Sequence, residues 1–209
     1  MDYITFSASL RRKKMGIFTF EDMKCLFPKE STQTIKNNFT RWVAKRYIRR
    51  LRRGLYELVE PRVEFKTSDL YVANRLYIPS YVSLETVLSM MSIIPDVAMG
   101  VTSVTTRPTR AFKNMYGAFF YRSCKKNCFT GYKLMSYEGV KVLIADTEKA
   151  LVDFLYYRLR ESLVLNFEEE RFNKTILKKI NWRKALAYAG LFNKRAVEAL
   201  QRCREYVTC

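Results

Sequence analysis

The spacing of apolar residues changes period once within the first 60 positions, and that change limits what this segment can fold into. Tyr3, Phe6 and Leu10 fall at i, i+3 and i+7, the inward stripe of a helix whose basic end, Arg11 to Lys14, stays in solvent and which Gly16 terminates. Thr19 and Asp22 make a capping box for a short second helix with Phe20, Met23, Leu26 and Phe27 on its core side; Pro28 then forces a turn. Ser31 or Thr32 caps a third helix in which Ile35, Phe39 and Val43 stack at i, i+4 and i+8, with Trp42 beside them. Past that helix the period drops to two. Tyr47 to Leu51 and Leu55 to Val59 alternate on either side of a tip made by Arg52, Arg53 and Gly54, the pattern of a β-hairpin.

Helix, helix, helix and basic hairpin, in that order, describe a winged helix-turn-helix over residues 1–60. The outer face of the third helix reads Gln33, Lys36, Asn37, Thr40 and Arg41, with Ser31 and Thr34 at its start, and no acidic residue interrupts it. Side chains of these types reach base edges and phosphates in a major groove. Arg49, Arg50, Arg52 and Arg53 of the hairpin would hold phosphate or enter the minor groove. A solvated basic face accounts for any one of these residues, and many winged helices bind protein instead. The combination points to double-stranded DNA, because the hairpin arginines and the polar helix face would lie on one surface.

Charge supports a polyanionic partner. The chain holds 38 Lys and Arg against 20 Asp and Glu, a formal +18, and clustered cations gain binding free energy by releasing counterions from phosphates. Residues 1–60 hold 14 against six, a net of +8, whereas the other 149 hold 24 against 14, a net of +10, so net charge is about twice as dense at the N-terminus. There is no histidine, which removes Ser/His/Asp and Cys/His catalysis and every His-containing metal site. The five cysteines, Cys25, Cys124, Cys128, Cys203 and Cys209, leave Cys124-x3-Cys128 without the second ligand pair a structural zinc needs. They are expected as free thiols in a reducing cytoplasm. Neither a signal peptide nor a run of apolar residues long enough to span a membrane is read from the sequence. The expectation is a soluble cytoplasmic protein without cofactor or metal.

Pro61 closes the first segment, and residues 61–209 read as a larger mixed α+β domain. Helices are expected over 67–77 and from Leu84 to Met91, the latter capped by Ser83. Strands are expected over 97–106, 118–122, 132–136 and 140–144, the last two joined by Glu138-Gly139. Asp146 caps a helix through Ala150, Leu151, Phe154 and Leu155, and further helices from about 174 to 206 divide near Gly190. Asp146, Glu148 and Asp153 could be taken for metal ligands, but the first two suit a helix N-terminus. Glu64-Phe65-Lys66 has the Glu-x-Lys spacing of many nucleases, with no acidic partner upstream on a convincing strand. Non-enzymatic binding is therefore the expectation. A second basic surface, Arg107, Arg110, Lys113, Lys125 and Lys126, offers the alternative that the chain is an RNA-binding module for a tRNA-type substrate.

Several segments carry a family resemblance. Phe18-Thr19-Phe20-Glu21-Asp22-Met23 and Arg52-Arg53-Gly54-Leu55-Tyr56 in the first segment are joined by three in the second: Tyr81-Val82-Ser83-Leu84-Glu85, Gly100 to Thr105 (GVTSVT) and Ile144 to Asp153 (IADTEKALVD). Together, in this order, they resemble the AbiEi antitoxins of abortive-infection phage-defence systems. The likeness runs from about residue 15 to 160, and its second-domain segments are the more specific. Cys124 to Phe129 is richer in Cys and Lys than that pattern, and residues 161–209 lie outside it. The resemblance implies a winged helix that represses its own operon at promoter inverted repeats. It also implies a C-terminal antitoxicity domain opposing a nucleotidyltransferase-like toxin without tight binding to it, as in type IV toxin–antitoxin systems.

Overall fold

Local capping fixes where the first helices start. The computed structural model describes residues 1–59, 67–95, 99–162 and 165–208. The expected boundary at Pro61, the Glu64-Phe65-Lys66 spacing, the start of the strand expected at Val97, and Cys209 lie outside these. The chain is a mixed α+β protein that divides into two compact units, Met1–Ser68 with Asn114–Tyr116, and Asp69–Lys113 with Gly117–Cys209.

In the first unit the order is α1 (Tyr3–Arg12), β1 (Ile17–Thr19), α2 (Phe20–Leu26), α3 (Thr32–Ala44), β2 (Ile48–Arg52) and β3 (Leu55–Leu58). The Asp2 side chain accepts from the Thr5 N–H at 2.9 Å and caps α1. Thr19 and Asp22 form the expected capping box. Ser31 caps α3 through the Thr34 N–H at 3.0 Å. Helix α1 ends earlier than Gly16, turning at Lys14 with φ 52°. The strands form an antiparallel sheet in the order β1-β3-β2. Strand β1 is three residues long, too short to show an alternation in sequence.

Phe6, Leu10, Phe18, Met23, Ile35, Phe39 and Trp42 make the buried core of this unit. Here the expected stripe of α3 needs correction. Trp42 is fully buried and Val43 is 37% exposed, because at 3.6 residues per turn Trp42 returns nearly to the azimuth of Ile35, while Val43 overshoots it by about 80°.

The second unit is built on a six-stranded sheet in the order β6-β7-β5-β4-β9-β8: β4 (Ser80–Val82), β5 (Val101–Thr105), β6 (Arg110–Asn114), β7 (Gly117–Ser123), β8 (Tyr132–Tyr137) and β9 (Val140–Ala145). Its helices are α4 (Asp69–Leu76), α5 (Leu84–Met90), α6 (Thr147–Glu161), α7 (Lys174–Leu177), α8 (Trp182–Gly190) and α9 (Lys194–Thr208). Residues paired across strands share a face. Tyr121, opposite Ser103, donates to the Ala73 carbonyl of α4, and Tyr81, opposite Val104, donates to Asp153 of α6. Ser103 and Val104 are neighbours on one strand and point to opposite faces, so α4 and α6 cover opposite faces of the sheet. Strands β4 and β6 are absent from the sequence reading. The first is three residues long, and the second is an exposed basic edge with no burial pattern.

The charged centre of this unit is Lys149 and Asp153, one turn apart on α6 and both fully buried. They form an ion pair, and the second carboxylate oxygen of Asp153 accepts from Ser83 Oγ at 2.8 Å and Tyr81 OH at 3.1 Å. Burial pushes the Asp153 carboxyl above its ordinary value, partly offset by Lys149 and the two hydroxyls. Ser83 therefore does not cap α5 with its side chain; its hydroxyl is drawn to Asp153 instead. By contrast Asp146 caps α6 as expected and also holds Lys184 and Tyr188, at 2.8 and 2.9 Å.

Replacing Lys149 with Met leaves a buried carboxylate without its counter-charge, a loss of about 3–5 kcal/mol. Urea denaturation of Lys149→Met should show that drop, and adding Asp153→Leu should recover most of it. A single variant as stable as the parent would refute the structural weight given to this pair.

Candidate nucleic-acid interface

The outward face of α3 follows from what its inward face buries. With Ile35, Asn38, Phe39 and Trp42 turned into the core, Gln33, Lys36, Asn37, Thr40 and Arg41 are all exposed. Ser31 and Thr34 are engaged with one another, their hydroxyls 2.9 Å apart, and serve the cap. Gln33 Nε2 donates to Asn37 Oδ1 at 2.8 Å, an i, i+4 bond that holds both amides on the outermost line of the helix. Thr40 Oγ1 donates back to the Lys36 carbonyl at 3.1 Å. Arg41 donates to Asn38 Oδ1 at 2.9 Å, and Asn38 in turn donates to the Met1 carbonyl at 3.1 Å, so Arg41 leans toward the start of the chain.

The four hairpin arginines are not equivalent. Strands β2 and β3 are joined by Arg53-Gly54, with Gly54 at φ 80°, a left-handed conformation that glycine adopts without a Cβ clash. Arg52 lies opposite Leu55, but Arg50 lies opposite Tyr56, so one extra residue is accommodated between Arg50 and Arg52. That bulge decides the charges. A continuous ladder from Arg52–Leu55 would put Glu57 opposite Arg50; the shift puts it opposite Arg49. Arg49 reaches the buried Glu57 carboxylate at 3.3 Å. Arg50 is left exposed on the other face, Arg53 is exposed at the turn, and Arg52 donates to the Arg53 carbonyl at 2.8 Å.

Arg50 meets α3 across a cleft of about 500 Å³ whose cationic sides are Lys36 and Arg50 and whose floor is Phe20, Phe39, Val43 and Tyr56. The sequence reading missed this floor. Periodicity alone turns Val43 toward the core, whereas it is 37% exposed, and only the observed register brings Tyr56 beside Arg50. The structure thus places Lys36, Thr40 and Arg50 around one cleft and holds Arg49 apart on Glu57.

In the second unit Arg107, Arg110, Lys113, Lys125 and Lys126 are all exposed. Arg107 and Arg110 lie over the rings of Tyr77 and Phe112, 5.4 and 5.3 Å from their centroids. Among the described residues no three Cys, Asp or Glu side chains are grouped to hold a metal ion, and no helix is long and apolar enough to cross a membrane. No protein-family model matches the chain, and no curated protein matches it in sequence.

The thiols differ in what surrounds them. Burial pushes Cys124 and Cys203 up to about 12 and raises Cys128, whereas Cys25 is exposed. The thiolate is the reactive form, so at pH 8 iodoacetamide should label Cys25 well before Cys124, Cys128 or Cys203, as read by peptide mass spectrometry. Equal labelling in the native protein would contradict this burial.

Proposed function

We propose that the first unit is a winged helix-turn-helix that binds double-stranded DNA, with α3 in the major groove and the β2–β3 hairpin as the wing, and that the chain is a transcriptional regulator of the antitoxin kind. The observation that carries this reading is the convergence of α3 and the hairpin: Lys36 and Thr40 share a cleft with Arg50, beside the exposed Gln33–Asn37 pair. A helix presenting adjacent amides is suited to adenine edges, and flanking cations to phosphate. Arg50 and Arg53 are the wing residues for phosphate or the minor groove. Arg49, tied to Glu57, supports the hairpin.

The family resemblance adds the biological setting. On that reading the chain represses its own operon at promoter inverted repeats and, through its second unit, counteracts a nucleotidyltransferase-like toxin in the cytoplasm without binding it tightly. It performs no catalysis of its own.

The test is a salt-titrated binding measurement of the full chain on the DNA upstream of its own gene, against scrambled duplex of equal length. The promoter should be preferred by ~10³ or more, the range of specific regulators. Arg50→Ala should weaken binding to both duplexes and reduce the salt slope by about one. Asn37→Ala should narrow the preference, at a cost of about 1–3 kcal/mol on the promoter alone. Equal binding to both duplexes by the unmodified protein would overturn the regulator reading.

A further inference from the structure

The cleft between α3 and the hairpin is more apolar than contact with a nucleic-acid backbone calls for. Its floor is made of Phe20, Phe39, Val43 and Tyr56, and Lys36 and Arg50 stand at its sides. Phe39 is buried and meets Phe20 and Tyr56 edge to face, at 6.3 and 4.7 Å between ring centroids. The rings hold one another, so the floor exists before anything binds. Val43 lies six residues beyond Asn37, about 120° round the helix from it. The floor is thus turned toward the hairpin and away from the outermost line of Gln33 and Asn37. No acidic residue lines the cleft. Among the described residues neither Lys36 nor Arg50 has a carboxylate partner. Thr40 commits its hydroxyl proton to the Lys36 carbonyl, so the charged groups offered to a ligand are both cationic.

We propose that this cleft is the binding site of a small aromatic carboxylate, and that the bound acid displaces DNA from the first unit. The displacement rests on the DNA-binding reading above; the site itself does not. A volume of about 500 Å³ is within the range of small-molecule pockets, which are mostly apolar and fix their ligand through a few placed polar groups. A planar hydrocarbon ring on the floor covers the exposed Val43 and the half-buried Phe20 and Tyr56, apolar surface that water otherwise wets. Its carboxylate meets Lys36 and Arg50, which have no counter-charge of their own. A phosphodiester supplies the charge without the cover, and a neutral ring supplies the cover without the charge. Acid and DNA exclude one another because both claim the same two cations.

The experiment is an amide NMR titration of the isotope-labelled full chain with naphthoate, beside naphthamide and naphthylmethylammonium as neutral and cationic forms of the same ring. Naphthoate should move the signals of Lys36, Thr40, Val43 and Tyr56 with a Kd of about 1 mM or tighter, as a ligand of its size allows. The amide and the ammonium should bind at least about tenfold more weakly, for want of the charge-assisted contact. Val43→Phe, which fills the cleft from a position exposed in the parent, should abolish naphthoate binding. Lys36→Gln/Arg50→Gln should bind acid and amide alike. On the promoter duplex, naphthoate at about ten times its Kd should weaken DNA binding about elevenfold, measured against sodium acetate of equal ionic strength. With Val43→Phe that response to naphthoate should vanish. No signal movement with naphthoate at about 10 mM would overturn the proposal. So would an ammonium bound as tightly as the acid, or a Val43→Phe variant that binds naphthoate like the parent, which would place the acid elsewhere. Naphthoate seated in the cleft without effect on promoter affinity would overturn the displacement. The titration itself uses no DNA, so a chain that takes up naphthoate as described but shows no promoter preference would count against the regulator reading and support the site.

Discussion

Two full charges in a protein interior are tolerated only where each is matched by the other and by hydrogen bonds that complete its valence. Lys149 and Asp153 meet that condition with neither side chain reached by solvent. Asp153 draws a tyrosine from β4 and a serine from the entry to α5, while the Lys149 ammonium lies 5.5 and 4.7 Å from the ring centroids of Tyr81 and Phe192. Strand β4, the start of α5, helix α6 and the segment between α8 and α9 are thereby referred to one point. The same packing explains Gly131, where a Cβ would stand 2.8 Å from both Lys149 Cγ and Tyr188 Cζ at a φ of 75°. Glycine there is a requirement of the buried lysine.

The first unit solves a smaller problem by different means. Its core is mostly aromatic, with Phe6 against Trp42 at 4.3 Å and Phe39 against Tyr56 at 4.7 Å between ring centroids. Large rings fix the azimuth of α3 tightly, since turning the helix would expose Trp42 and bury Lys36 or Asn37. The outward polar face is thus the complement of the buried one. The one-residue bulge in β2 then sorts the arginines, sending Arg49 to a buried carboxylate and Arg50 to the cleft.

What was legible in sequence was what is local. The caps at Thr19, Ser31 and Asp146, the hairpin turn at Glu138-Gly139 and the helical stripes each depend on residues within a turn or two of one another, and the structure has them. The outer face of α3 was readable for the same reason. Strands β1 and β4 were not, because three residues carry no period. Lys149 and Asp153 at i, i+4 look in sequence like an ordinary surface pair; only the cover supplied by distant strands and helices makes them interior. The preference of Glu57 for Arg49 over Arg50 hangs on a bulge that nothing in the alternation of Tyr47 to Leu51 announces. Val43 shows the converse error, where extending a four-residue repeat across two turns drifted off the helical period.

The order of the six-stranded sheet leaves β6 and β8 at its margins. An outermost strand offers unsatisfied main-chain groups to any other extended chain, and charged side chains are a common means of discouraging such pairing. Arg110 and Lys113 on β6 and Lys133 on β8 are exposed, so each margin carries cations that repel a second copy of itself. The basic character of the chain therefore also opposes pairing of two copies along these edges. Phe120 on β7 and Leu134 on β8 are also exposed, so neutralising the marginal cations by a ligand or by high salt would remove the repulsion that opposes edge-to-edge pairing.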